Sequence, residues 1–191
     1  MMEAVDDRPI DTYLLLDGEN LDMALGSFLG RRPAPEERPR WDRVLEFAGQ
    51  VWEAPTKPLF FMNASSGTLP TAFVNAIRGF GYRPVPLSGP ADVKVVDVAI
   101  QRTLEAIAER PGHVLLGSHD SDFVPQIEQL LDGRRQVGLL AFRELVSSRY
   151  EPLMTRGLQL FDLEDDARAF NQPLPRLRII PIDQFDPRAF L

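Results

Sequence analysis

Short apolar runs alternate along the chain with longer segments in which apolar residues recur every three or four positions. The short runs are typical of buried strands, and the longer segments have the spacing of amphipathic helices. The predicted strands, the last a weaker one at a sheet edge, are Thr12–Leu16, Pro58–Met62, Tyr82–Leu87, His113–Gly117, Gln136–Ala141 and Leu158–Phe161. The predicted helices are Leu21–Leu29, Trp41–Glu53, Leu69–Gly79, Val93–Arg110 and Phe123–Asp132. This alternation predicts an α/β fold in which helices cover a mainly parallel sheet of five or six strands.

Two of these elements have features that place them in the fold. The apolar residues of the fourth helix, from Val93 to Ile107, form one stripe that can lie on the sheet. The third strand contains Pro84 and Pro86, which lack the N–H group that a neighbouring strand would need. We therefore expect the third strand to lie at an edge of the sheet or to be irregular.

The chain is expected to form a single domain over residues 11–170, preceded by an N-terminal extension at 1–10 and followed by a proline-rich extended tail at 171–191. Its 191 residues, 44% of them hydrophobic, suffice for one buried core. The stretch 30–40 is rich in proline and arginine and predicts a mobile surface loop. The apolar tail residues would either fold back on the domain or dock on a second copy or another protein. These residues are Ile179, Ile180, Ile182, Phe185, Phe190 and Leu191.

Composition excludes several kinds of site. The chain has no cysteine, which removes disulfides, thiol nucleophiles and thiolate-bound metals, and its two histidines are too few for a three-histidine zinc site. The acidic start of the chain and the lack of a long apolar run predict a cytoplasmic protein with no membrane segment. The net charge of −7 counts against a broad electrostatic grip on nucleic acid, although bound divalent cations would restore positive charge locally.

Acidic side chains follow the first and fourth predicted strands. The first strand continues into Asp17-Gly-Glu-Asn20, and the fourth continues into Ser118-His-Asp120-Ser-Asp122. Both motifs are expected at the carboxyl edge of the sheet, where α/β proteins bind ligands. The alternative interpretation is structural: an ordinary Asp-Gly turn in the first motif, and in the second Asp122 as a helix N-cap with Asp120 in a loop.

A third acidic position lies near the start of the long fourth helix. Lys94 and Asp97 are three residues apart, and Asp97 interrupts an otherwise apolar stretch. The side chain either points to solvent in a pair with Lys94 or meets a cation, because burying it unpaired would be costly. Clustered carboxylates need a counter-charge, and Mg²⁺ or Mn²⁺ is the usual one for oxygen ligands. Convergence of the three motifs would therefore predict a metal site.

The three motifs resemble those of the NYN domain family, in particular its LabA-like branch, within the PIN-like nuclease superfamily. The similarity covers residues 11–162, and the motifs look like that family's D-G-x-N, K-x-x-D and S-G-D-S-D-F patterns. The resemblance implies a single-domain, Rossmann-like three-layer fold and a nuclease that uses Mg²⁺ or Mn²⁺ to hydrolyse phosphodiester bonds, usually in single-stranded RNA. The metal ligands and catalytic residues that it implies are Asp17, Asp97, Asp120 and Asp122. The supporting residues would be Asn20, Lys94, Ser118 and Ser121.

One position departs from the family pattern, because His119 stands where glycine is common. It is expected to be a tolerated turn residue, with substrate contact as the alternative. Two other functions stay open. A domain that keeps this pocket without activity would serve as a regulatory, scaffolding or RNA-binding module. A phosphotransfer domain with a phosphoaspartate intermediate is disfavoured, since no D-x-D-x-[TV] run follows the first strand.

Overall fold

The computed structural model describes residues 10–177 and 179–191, and its centre is one sheet of six parallel strands. The strands are β1 (Thr12–Asp17), β2 (Thr56–Asn63), β3 (Arg83–Leu87), β4 (His113–Gly117), β5 (Val137–Ala141) and β6 (Gln159–Asp162). Their order across the sheet is β3-β2-β1-β4-β5-β6. The predicted α/β class is confirmed, as is the edge position of the proline-containing strand β3.

Helices connect the strands and cover both faces of the sheet. The α-helices are α1 (Gly18–Leu29), α2 (Trp41–Gln50), α3 (Thr71–Gly79), α4 (Val95–Ala108), α5 (Val124–Leu130) and α6 (Glu151–Met154). Short 3₁₀ turns precede α2, α5 and α6. No helix among the described residues is long and apolar enough to cross a membrane.

Two separate cores result from the alternation of side chains along the strands. Leu14 points to the face covered by α1, α2 and α3, whereas its neighbour Leu15 points to the face covered by α4, α5 and α6. Both leucines are completely buried, as are Leu25 in α1 and Ile100 in α4. Helix, sheet and helix therefore form three layers, which confirms the predicted Rossmann-like arrangement.

Several predicted helix boundaries were wrong by a few residues, for local reasons. Helix α1 begins at Gly18 rather than Leu21, because the Asp17 carboxylate accepts a hydrogen bond from the backbone N–H of Asn20 (3.2 Å) and caps the helix. Helix α3 begins only at Thr71, since Pro70 is its N-cap and a residue before proline avoids helical geometry. Helices α2, α4 and α5 are likewise shorter than expected.

Ion pairs anchor the arginine-rich stretch after α1, which the sequence predicted to be a mobile loop. It contains a 3₁₀ turn at Pro35–Glu37, and Arg31 pairs with Glu37 across that turn (2.6 Å). Arg38 reaches back to Asp22 on α1 (2.9 Å). The stretch is thus tied to itself and to the first helix.

The tail has an anchored start and an apolar end. The Arg176 side chain is 2% exposed and pairs with Asp162 (2.5 Å), Glu164 (2.9 Å) and Glu144 beside the end of β6. Beyond this anchor the apolar side chains face solvent, with Ile179 96% and Ile182 87% exposed. Ile180 and Phe185 are each more than half covered, so the tail is partly packed, and its docking on a second copy or another protein stays a prediction.

Candidate metal centre

The candidate site lies where the direction of the strand order reverses. Strands β2 and β3 extend the sheet on one side of β1, and β4 and the later strands extend it on the other. The chain leaves β1 and β4 toward opposite faces, which opens a crevice at the carboxyl ends of these two strands. Asp17 is the last residue of β1, and Ser118 directly follows β4. The fold itself therefore brings the first and third acidic motifs together.

Asp17 is the most deeply buried carboxylate of the site, with 3% of the residue exposed. One carboxylate oxygen accepts from the N–H of Asn20 and the other accepts from the hydroxyl of Ser118, each at 3.2 Å. Burial raises the pKa of Asp17 to about 6, and repulsion from Asp97 adds to this rise while the two hydrogen bonds oppose it. The side chain is therefore a carboxylate near neutral pH but holds its proton more tightly than an exposed aspartate.

Three further carboxylates form a compact group, which we call the acidic triad: Asp97, Asp120 and Asp122. One oxygen from each lies within 4.8 Å of the others. Asp97 comes from the first turn of α4, and the other two come from the segment after β4. Asp17 is outside this group but lines the same cavity of about 340 Å³ as Asp97 and Asp120, which we call the carboxylate cavity. The four acids named from the sequence thus meet as a triad and one deeper neighbour.

Lys94 supplies the positive charge nearest to the triad. As the N-cap of α4 it places its ammonium 3.0 Å from Asp122, 3.3 Å from Asp97 and 3.8 Å from Asp120. The Asp122 hydrogen bond and the Asp97 carboxylate raise the pKa of Lys94 well above its ordinary value. The predicted pair with Asp97 is present, but the lysine serves the whole triad, and its side chain is 67% exposed.

The segment after β4 carries its own helix cap, which corrects one alternative from the sequence. Asp120 rather than Asp122 caps the following 3₁₀ turn, because its carboxylate accepts from the N–H of Asp122 (2.9 Å). Asp120 therefore combines a capping contact with a position in the triad. Asp122 is freer, with a side chain 48% exposed.

The side chain of His119 is buried and joins the turn after β4 to Asn20 and to the residue that follows β5. Its Nε2 accepts from the backbone N–H of Phe142 (2.7 Å), so the proton lies on Nδ1, which faces the side-chain oxygen of Asn20 at 3.1 Å. The backbone N–H of His119 also donates to that oxygen (2.7 Å). Burial lowers the pKa of His119 to about 4. His119 thus lies in the turn after β4, as expected, but it is buried and bonded to neighbouring elements, and its contact with a substrate stays an untested alternative.

Other contacts fix the backbone around the triad, and sequence reasoning missed them. Tyr150 donates its hydroxyl proton to the carbonyl oxygen of Asp120 (2.6 Å), and the side chain of Gln101 donates to the carbonyl oxygen of Asp122 (3.1 Å). Gln101 lies one turn beyond Asp97 on α4, a spacing that could have revealed it. Tyr150 carries no such signal. The hydroxyl of Ser121, a supporting residue in the sequence prediction, accepts a hydrogen bond from the Arg149 guanidinium (3.2 Å).

Comparison with known proteins leaves the family open and supports the fold. Models of known protein families give no match to the chain, and curated protein sequences give none either. A crystal structure of a protein of unknown function from Vibrio parahaemolyticus, VPA0982, is similar with a TM-score of 0.64 and 19% sequence identity. The similarity covers 87% of this chain and 98% of that one. At this identity the likeness concerns the fold alone.

Proposed function

We propose that the chain is a metal-dependent nuclease that hydrolyses phosphodiester bonds, with RNA as its substrate, and that it acts in the cytoplasm. The observation that carries the proposal is the acidic triad, whose oxygens lie within 4.8 Å of one another at the strand-order reversal, with Asp17 on the same cavity. The order and spacing of the motifs around Asp17, Asp97 and Asp120, which resemble those of NYN domains, support it as well.

The residues of the site fit a hard divalent cation. All of the candidate ligand atoms are oxygens, which Mg²⁺ and Mn²⁺ prefer. Oδ2 of Asp97 is buried, and within the described part of the chain it forms an ion pair with the Lys94 ammonium (3.3 Å) without a hydrogen bond of normal geometry, so this oxygen keeps acceptor capacity for a cation. When bound, such a cation would lower the pKa of a coordinated water and neutralise charge on a phosphate. The residues that would hold it are Asp97, Asp120 and Asp122, with Asp17 behind them.

Lys94 would exchange partners when a cation binds. Exposed ion pairs contribute only about 0–1 kcal/mol each, so a flexible and largely exposed lysine can leave the triad at low cost. Its ammonium would then remain at the rim of the carboxylate cavity, where it could bind a phosphate oxygen. The lysine thus balances the triad in the metal-free protein and would contact substrate in the active one.

Hydrogen bonds from neighbouring residues hold the deepest carboxylate of the site in place. Ser118 and the N–H of Asn20 fix the two oxygens of Asp17, and His119 fixes the side chain of Asn20. Helices α1 and α4 both begin at the site, so the positive ends of their dipoles favour negative charge there. These hydrogen bonds and helix dipoles offset part of the repulsion among the four carboxylates.

A cleavage assay tests the proposal. Single-stranded RNA is incubated with Mn²⁺ and either the unmodified protein or the Asp120→Asn variant, with Asp186→Asn in the tail as a control for the same chemical change. We expect cleavage by the unmodified protein and the control, and a loss of at least about a hundredfold in Asp120→Asn. Intact RNA with the unmodified protein, or equal cleavage by Asp120→Asn, would contradict the proposal.

A binding module without activity is the second candidate, and one observation favours it. The Lys94 ammonium already lies within 4 Å of all three triad carboxylates, so the group has a counter-charge without any metal. The exposed apolar tail would then provide the surface for a second copy or another protein. This candidate predicts RNA binding or protein association that is unchanged by Mn²⁺, together with no RNA cleavage in the assay above.

A further inference from the structure

A second cavity, which we call the aromatic cavity, lies directly beside the carboxylate cavity. It has a volume of about 220 Å³, and aromatic side chains of Trp41, Phe60 and Phe73 form much of its wall. Glu19 and Asn63 line both cavities, so the two are adjacent on the surface. A ligand at the acidic triad would therefore have an apolar recess next to it.

The Phe60 ring of the aromatic cavity lies close to the backbone that follows Asp17. The Phe60 ring lies 5.1 Å from Trp41 and 5.4 Å from Phe73 between ring centres, in edge-to-face contacts that hold it in place. A Cβ atom at Gly18 would lie 2.4 Å from the Phe60 ring, so the glycine after Asp17 permits this approach. Phe73 is the partly exposed ring of the three, and it is available for contact with a ligand.

The rim of the aromatic cavity carries one positive and one negative side chain that could bind the phosphate and the base of a nucleotide. Arg32 is exposed, and within residues 10–177 and 179–191 its guanidinium has no ion-pair partner, whereas the neighbouring Arg38 is held by Asp22. Arginine is well suited to phosphate oxygens. Glu19 is exposed and likewise has no partner within the described part of the chain, and a carboxylate can accept hydrogen bonds from the amino groups of a base.

We propose that the aromatic cavity binds the base of the nucleotide next to the phosphate at the acidic triad. This inference rests on the proposed nuclease function and adds a substrate subsite to it. The cavity is smaller than the ~300–1,000 Å³ typical of drug-sized sites, which suits one base rather than a larger group. Phe73 supplies the stacking surface, Glu19 faces the polar edge of the base, and Arg32 contacts the flanking phosphate. Stacking tolerates any base, so the recess favours a single-stranded substrate without a strict sequence.

Trp41 allows this subsite to be tested without cleavage. The chain has two tryptophans, and the other, Trp52, packs 5.5 Å from the His113 ring outside both cavities. In a Trp52→Phe background without metal, we expect adenosine to change the Trp41 fluorescence and ribose to leave it unchanged. Phe73→Leu keeps an apolar side chain but removes the ring, and it should weaken adenosine binding about five- to a hundredfold.

Cleavage kinetics provide the second arm. Phe73→Leu and Arg32→Met are expected to raise KM for single-stranded RNA with little change in kcat, whereas Phe80→Ala should change neither, since Phe80 is an exposed ring just beyond α3 that lines neither cavity. Circular dichroism verifies that each variant is folded. Binding of adenosine without any RNA cleavage would support the base site and contradict the proposed nuclease function. Cleavage with no adenosine binding, and with Phe73→Leu equal to Phe80→Ala, would overturn the base site alone.

Discussion

Replacing Asp17 by asparagine is expected to stabilise the metal-free protein at neutral pH. The carboxylate is almost completely buried, and burial raises its pKa to about 6 from an ordinary value of 3.8. An acid whose pKa is raised on folding favours the folded state fully at low pH, and this contribution is lost as pH rises through about 6. At about 1.36 kcal/mol for each pKa unit, the ionised side chain costs about 3 kcal/mol.

Asparagine removes this cost while its side-chain oxygen can still accept from the N–H of Asn20. We therefore expect the free energy of unfolding of Asp17→Asn to exceed that of the unmodified protein by about 1–3 kcal/mol near pH 8, and the gain to disappear near pH 4. The same variant should bind Mn²⁺ more weakly, because it lacks the carboxylate behind the triad. Such a trade of stability for function is common at sites built from like charges.

Urea denaturation at the two pH values, with EDTA present, measures this difference. The control is Asp92→Asn, which removes an exposed acid from the same cavity and should change stability by less than about 0.5 kcal/mol. An Asp17→Asn variant less stable than the unmodified protein near pH 8, or an effect of equal size at both pH values, would contradict this prediction.

Three further predictions concern the neighbours of the site. Lys94→Met removes the ammonium that competes for the triad, so Mn²⁺ should bind roughly fivefold more tightly by calorimetry while RNA cleavage falls, and weaker Mn²⁺ binding would contradict this. The neutral state of His119 is favoured by folding, because burial lowers its pKa to about 4; its contribution to stability is therefore present above about pH 6.5 and is lost as pH falls toward 4, by about 3 kcal/mol. Urea denaturation should show this loss in the unmodified protein and a smaller one in His119→Gln, and equal pH dependence would argue against it. Arg176→Met leaves the buried Asp162 without its cation and is expected to cost about 3–5 kcal/mol in the free energy of unfolding, whereas Arg188→Met in the exposed tail should cost almost nothing.

Much of the fold followed from local patterns in the sequence. The strand at Thr12–Asp17 contains three successive leucines that are buried on both faces of the sheet, a pattern typical of a central parallel strand, and the prolines of β3 correctly placed that strand at an edge. Helix ends were less accurate, because they depend on side-chain caps. The sequence indicated Asp17 as a metal ligand or as part of an Asp-Gly turn, but not as the cap of α1. A residue can cap a helix and line a cavity at the same time.

The sequence motifs predicted which residues form the candidate site but not how their side chains contact one another. The motifs predicted that Asp17 and Asp120 lie at the carboxyl edge of the sheet, and the adjacency of β1 and β4, which the motifs do not contain, brings the two acids to one cavity. The contact of Lys94 with all three triad carboxylates could not be predicted, since it depends on a side-chain conformation at the start of α4. The burial of His119 depends on Phe142, which is distant in sequence and follows β5.

A crystal of the protein soaked in Mn²⁺ shows directly whether the triad binds a divalent cation. Anomalous diffraction should show a peak between Asp97, Asp120 and Asp122, with the Lys94 ammonium moved away from them. A map with no anomalous peak at the triad, and with Lys94 still bound to the three carboxylates at saturating Mn²⁺, would contradict the claim and the nuclease proposal with it.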